Sequence, residues 1–187
     1  MRALDILSSI VPEGDNYHVS AVVGENIGID DRLGMMISQV MDSRSKQFVY
    51  KIVGKILRNI PERDWDGEVA AIFNWVRNNI RYTRDPLGVE LFRTPRASYS
   101  DGIGDCDDMS IILVALLRAV GYICRFRVIG FEKGSYSHVY VVVGIPPEQP
   151  ERWLALDPSQ PHNPGWEVDC SKVKEIVDYR IEEEDKI

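Results

Sequence analysis

Apolar residues recur at spacings of three and four over much of the first 120 residues and then switch to alternation, so helices are expected first and strands after. Leu33, Met36, Ile37 and Val40 predict a helix capped by Asp30 or Asp31. Phe48, Val49, Ile52, Val53, Ile56, Leu57 and Ile60 predict a second, with Arg44, Lys46, Lys51, Lys55 and Arg58 on a solvated face. Pro61 ends it. Asp64 or Asp66 then caps a third helix through Val69, Ile72, Phe73, Val76 and Ile80, which ends near Tyr82. Asp85-Pro86-Leu87-Gly88 reads as a turn and Glu90 to Asp101 as an extended loop. The run Met109 to Val120 is apolar on nearly every face, with only Arg118 charged, which marks a buried helix; Gly121 stops it.

Beyond Gly121, Arg125 to Phe131 alternates, His138 to Val143 is rich in β-branched residues, and Arg152 to Leu156 gives a third strand. Short connections favour a sequential antiparallel sheet, and helices followed by strands favour α+β over a doubly wound fold. The ends are less regular. Ala3 to Ile10 fits a short helix, Pro12 to Asn16 a turn, and Tyr17 to Val23 a strand. Lys174 to Ile181 fits a strand, while Val173, Ile176, Val177 and Ile181 also fit a helical face. No internal repeat or linker divides the chain. Residues 1–62 are expected to form a helical extension packed on a core at 63–187, the whole being one compact unit.

Composition narrows the function classes. The 187 residues carry a net charge of −7, which argues against a nucleic-acid or anionic-membrane surface. Three cysteines, Cys106, Cys124 and Cys170, without C-x-x-C spacing suggest neither a disulfide framework nor a zinc ribbon, and place the chain by default in a reducing, cytoplasmic compartment. No stretch reads as a signal peptide or as an apolar run of about 18–20 residues.

Three residues sit at ends of elements: Cys106 at the start of the buried helix, His138 opening a strand and Asp157 closing another. In an antiparallel pair the start of the first strand lies beside the end of the second, so His138 and Asp157 meet at one sheet edge. Packing the Cys106 helix on that sheet supplies a nucleophile, a base and an orienting carboxylate, the three roles of acyl-transfer chemistry. A helix N-terminus is expected to lower the thiol pKa. Asp105, Asp107 and Asp108 oppose this, but as exposed first-turn charges each is worth only about 0.3–1 kcal/mol against the dipole, less than a paired histidine supplies, so activation survives and the aspartates either cap the helix or receive a basic substrate group. A metal set of Cys106, Asp107, His138 and Asp157 matches no zinc spacing, and His18 and His162 read as surface or loop residues.

The segments Gly104-Asp105-Cys106-Asp107-Asp108, Leu116 to Gly121, Ser137-His138-Val139-Tyr140 and Leu156-Asp157-Pro158-Ser159 resemble the motif blocks of the transglutaminase-like superfamily, a branch of the papain-like cysteine hydrolases. Trp75 to Tyr82 resembles the helix preceding the cysteine block, and the likeness runs from about Asp64 to Gln160. Asp85 to Glu90 and the doubled Asp107-Asp108 are similar to phage and prophage members. Ser110, the Tyr122-Ile123-Cys124 turn and Tyr140 depart from the usual pattern without removing a motif residue. The resemblance implies a papain-like α+β core with the central helix packed on a small antiparallel sheet, and a Cys106, His138, Asp157 triad. It implies no cofactor or metal, and a protein or peptide amide as substrate, cleaved by water or transferred to an amine. In that scheme His138 takes the Cys106 proton, Asp157 holds the imidazole, and the Cys106 N–H serves the oxyanion. Tyr99, Ser100 and Trp75 are candidates for a second oxyanion donor, although Trp75 also suits core packing. The rival expectation is a structural or interaction module, such as a virion component, whose triad is covered by the helices at Asp31 to Ile60.

Overall fold

The computed structural model describes residues 19–23 and 28–181. The helices are α1 (Ile29–Val40), α2 (Ser43–Ile56), α3 (Trp65–Asn79), α4 (Pro95–Asp101) and α5 (Cys106–Val120). The strands are β1 (Val19–Val23), β2 (Arg81–Tyr82), β3 (Val89–Arg93), β4 (Ile103–Gly104), β5 (Cys124–Gly130), β6 (His138–Ile145), β7 (Arg152–Leu156) and β8 (Glu175–Arg180). The expected turn and helix before residue 17 lie outside the described residues.

Helix α5 is the centre. Every residue from Asp107 to Leu117 is buried, because α1, α2, α3 and α4 pack on it from one side and β5 and β6 from the other. Burying an Ile, Leu or Val side chain completely is worth about 1.5–3 kcal/mol, so an apolar helix of this kind is stable only when it is enclosed. Gly121, in the left-handed region at φ 103°, closes α5. Leu33, Met36, Val49, Ile52 and Val53 of α1 and α2 join the same apolar cluster as Ile112, Leu116, Phe126 and Val141, so the N-terminal helices are built into the core. The basic side of α2 faces solvent, as its pattern indicates.

The main sheet is antiparallel with strand order β7-β6-β5-β8. The three consecutive strands match the alternation in the sequence. The tail resolves as a strand, since β8 pairs with Arg125 to Gly130 of β5 and Arg127 bridges to Asp178 at 2.6 Å. Three expectations are corrected. Helix α1 begins after Gly28, which makes no side-chain cap, so Asp30 and Asp31 lie in its first turn. The third helix is capped by Asp64, whose carboxylate accepts from the Gly67 N–H at 3.0 Å, but it stops at Asn79 because Arg81 and Tyr82 pair with Ile103 and Gly104. Glu90 to Asp101 is not extended loop. Val89–Arg93 pairs with β1, and Thr94 caps a helix with Pro95 in its first turn.

Candidate functional site

The loop that delivers the chain to α5 is held by parallel pairing of β2 with β4, Thr83 N–H donating to the Gly104 carbonyl at 2.8 Å. Asp105 then caps α5, its Oδ1 accepting from the N–H groups of Asp107 (3.0 Å) and Asp108 (3.2 Å). Cys106, half-buried, is the first residue of the helix. Its thiol donates to Asp107 Oδ1 at 3.6 Å, and its sulfur accepts from the backbone N–H of Val139 on β6. His138, the preceding residue, places Nε2 2.6 Å from Asp157 Oδ2. The pairing of Val141 with Leu156 sets this meeting, since His138 opens β6 just as Asp157 follows β7. Asp157 is itself fixed, because Oδ1 accepts from the Ser159 N–H (3.1 Å) and hydroxyl (2.6 Å). His138 and Asp157 therefore meet at the β6–β7 edge, and Cys106 opens the helix that packs on β6 beside Val139. With Nε2 committed to the carboxylate, Nδ1 is the ring nitrogen left for another partner.

The electrostatics differ from the sequence expectation. The first-turn aspartates are not exposed: Asp107 and Asp108 show 2% and 0% of their surface. Arg32 of α1 bonds Asp107 at 3.1 Å and Glu90 at 2.9 Å, and Arg93 of β3 bonds Asp108 at 2.5 Å. Burial, then Asp107 and Asp105, push the Cys106 thiol well above the usual cysteine range, outweighing the Val139 N–H. The helix N-terminus thus does not yield a resting thiolate, because burial and the carboxylates buried beside the sulfur outweigh it. Burial also raises Asp105, with Asp107 and Asp108 adding to it, and lifts Asp108 to about 6 in spite of Arg93.

A carboxyl whose pKa is higher folded than unfolded binds its proton more tightly in the native state, so stability falls as pH rises through that interval. For Asp108 the interval runs from about 4 to about 6, Asp105, raised to about 9, extends it upward, and Asp107 is shifted in the same direction. Thermal unfolding followed by circular dichroism is expected to give a Tm several degrees higher at pH 5 than at pH 8. A Tm that climbs over that range would show that Arg32 and Arg93 ionise these groups without cost.

Asp105, Asp107, Asp85 and Glu90 lie close together, but each carboxylate already has a protein donor: helix N–H groups, Arg32, the Leu91 N–H and Arg32 respectively. The cluster reads as a cap with ion pairs. Trp75 and Tyr99 stack at 5.3 Å and Tyr99 meets Phe48 at 5.3 Å, so this aromatic group packs α2, α3 and α4 together. Ser100 lies exposed on α4. A residue that sequence reasoning did not single out is Tyr82, exposed and paired in register with Gly104, which precedes the cap of α5. Its only signal was its place just after the helix that ends at Asn79. The departures from the motif have structural work: Tyr140 donates to Glu167 at 2.8 Å and Tyr122 to Glu68 at 2.6 Å. Exposed His162 stacks on Trp166 at 4.1 Å.

The sequence profile of the transglutaminase-like superfamily matches residues 50–158, which include Cys106, His138 and Asp157. Among solved structures, a candidate cysteine protease from Cytophaga hutchinsonii is similar at 17% identity and TM-score 0.50, over 87% of this chain and 53% of that one. A candidate protease from Parabacteroides distasonis is similar at 10% identity and TM-score 0.51, over 69% and 29% of the two chains. Legionella pneumophila LapG follows at 17% identity and TM-score 0.47, over 76% and 77%. The chain spans about half or less of the first two, and the likeness to those two is one of fold. No curated protein sequence matches. Nothing in these comparisons supports the likeness to phage members. No helix among the described residues is long and apolar enough to cross a membrane.

Proposed function

Since the chain belongs to the transglutaminase-like superfamily, we propose that it is a cysteine-dependent acyl-transfer enzyme acting on protein or peptide amides, with Cys106 as nucleophile, His138 as base and acid, and Asp157 as the carboxylate that orients the imidazole. The observation that carries this reading is the 2.6 Å contact between His138 Nε2 and Asp157 Oδ2, on a strand whose next N–H is bonded to the Cys106 sulfur. The resting nucleophile is a neutral thiol, because burial and the neighbouring aspartates disfavour its anion. Proton transfer to His138 therefore accompanies attack on the carbonyl, as in general-base catalysis. The imidazolium formed is stabilised by Asp157 and returns its proton to the leaving amine, and water or an acceptor amine then releases the thioester. The Cys106 N–H supplies one oxyanion donor. Tyr82, exposed on β2 beside Gly104 and with its phenol proton free to donate, supplies the second.

An activated ester such as p-nitrophenyl acetate tests this reading, with mass spectrometry locating the acyl group. The adduct is expected on Cys106 at least about tenfold faster than on exposed Cys170, while buried Cys124, its thiol pushed up to about 12, stays unmodified. His138→Ala removes the preference. Acylation spread over Cys170, or a Cys106 preference that survives His138→Ala, would overturn the assignment.

A further inference from the structure

Arg32 lies on α1, outside the segment 50–158 that matches the superfamily. Its Nη1 reaches Asp107 Oδ2 at 3.1 Å and its Nη2 reaches Glu90 at 2.9 Å. The other oxygen of Asp107, Oδ1, accepts the Cys106 thiol at 3.6 Å. One buried carboxylate therefore joins the nucleophile to a helix from beyond the matched segment. Left without its cation, a buried carboxylate one hydrogen bond from sulfur opposes the anion that must develop there.

We infer that Arg32 is a positioning residue of the site: it neutralises and fixes Asp107, so that the docking of α1 against β3 and α5 sets the reactivity of Cys106. This rests on Cys106 being the nucleophile, and it deepens that reading by adding a control outside the triad. The other charged or titratable groups around the thiol are Asp105 and Asp108 on α5, Asp85 and Glu90 at the start of β3, Tyr82 with Arg84 on the β2 side, and His138 on β6. Asp108 is taken by Arg93. Arg32 is thus the cation bonded to the carboxylate that touches sulfur. The directions agree: burial raises Asp107 and Arg32 opposes that rise, while burial and then Asp107 raise the thiol. The N-terminal helices then support the site, where the sequence left open that they cover it.

The test is iodoacetamide labelling at pH 8, read cysteine by cysteine, with Cys170 as exposed reference and Cys124 as reporter of unfolding. Arg32→Ala is expected to lower the Cys106 to Cys170 rate ratio about tenfold, the equivalent of one pKa unit. Asp107→Asn raises the ratio by a similar factor, and Arg32→Ala with Asp107→Asn behaves as Asp107→Asn alone, since no charge is left to compensate. An unchanged ratio in Arg32→Ala, or a double variant as slow as Arg32→Ala, overturns the inference. Should labelling of Cys124 show that Arg32→Ala unfolds, Arg32→Gln takes its place, and a failure of Asp107→Asn to speed Cys106 is decisive against it in either case. These outcomes are distinct from failure of the functional reading, which appears in the unaltered protein as an ester adduct with no preference for Cys106.

Discussion

Asp157→Asn is expected to leave the fold intact and to slow acylation of Cys106 by roughly 10² to 10⁴-fold, the scale seen when an orienting carboxylate imposes the wrong histidine tautomer. The reason lies in the far side of the carboxylate. Oδ1 accepts two hydrogen bonds from Ser159, at 3.1 Å from its N–H and 2.6 Å from its hydroxyl. An asparagine there must keep its carbonyl oxygen toward Ser159, because its NH₂ would face a backbone donor. The NH₂ is then turned to His138, in the position that Oδ2 holds 2.6 Å from Nε2. Nε2 becomes an acceptor, the ring proton moves to Nδ1, and the nitrogen left for the thiol can no longer take its proton. The measurement is the acylation rate with the activated ester, beside an unfolding curve showing unchanged stability within about 1 kcal/mol. A rate within about threefold of the unaltered protein would mean that Asp157 only packs the sheet edge.

Gly130→Ala is expected to cost about 3 kcal/mol or more, at the upper end of overpacking effects, and to lower the Tm by roughly 6–12 °C for a domain of this size. Gly130 ends β5, and a Cβ there would collide with the Ser135 carbonyl oxygen and stand 2.8 Å from the carbonyl carbon. Both are backbone atoms of the connection to β6, so no side chain can swing aside. That connection is tied by the Glu132–Ser135 bridge, by Ser137 N–H to the Ile129 carbonyl at 2.9 Å, and by Lys174 N–H to the Gly130 carbonyl at 2.8 Å. Relief requires the hairpin to move, and His138 is the first residue beyond it. Acylation should therefore fall along with stability, measured by thermal unfolding and by the ester assay. A Tm shift below about 2 °C would show that the connection yields without strain.

The elements most legible in the sequence were those whose pattern follows from burial alone. Helix α5 is apolar all round because it is enclosed all round, and β6 is β-branched because it is an inner strand with neighbours on both edges. Helix α4 was missed although Thr94-Pro95 is a recognisable start, because Arg96, Ser98 and Ser100 give no apolar period. Strand β3 was missed because its partner, β1, lies far away in the chain. The tail stayed ambiguous for the same reason: Glu175 to Arg180 becomes a strand by pairing with β5, and nothing local chooses that over a helix.

By itself the sequence determined that one thiol opens a buried helix, that a histidine opens one strand and a carboxylate closes another, and that these belong to one superfamily motif. Each is a local property, written in a period, a cap or a short word of residues. The tertiary structure alone decided the charge state of that site. The first-turn aspartates look like solvent-facing caps in a one-dimensional reading. Folding buries Asp107 under Arg32 and Asp108 under Arg93, residues distant in sequence. Charges taken out of water act strongly on their neighbours, and the thiol that a helix dipole was expected to ionise is held protonated.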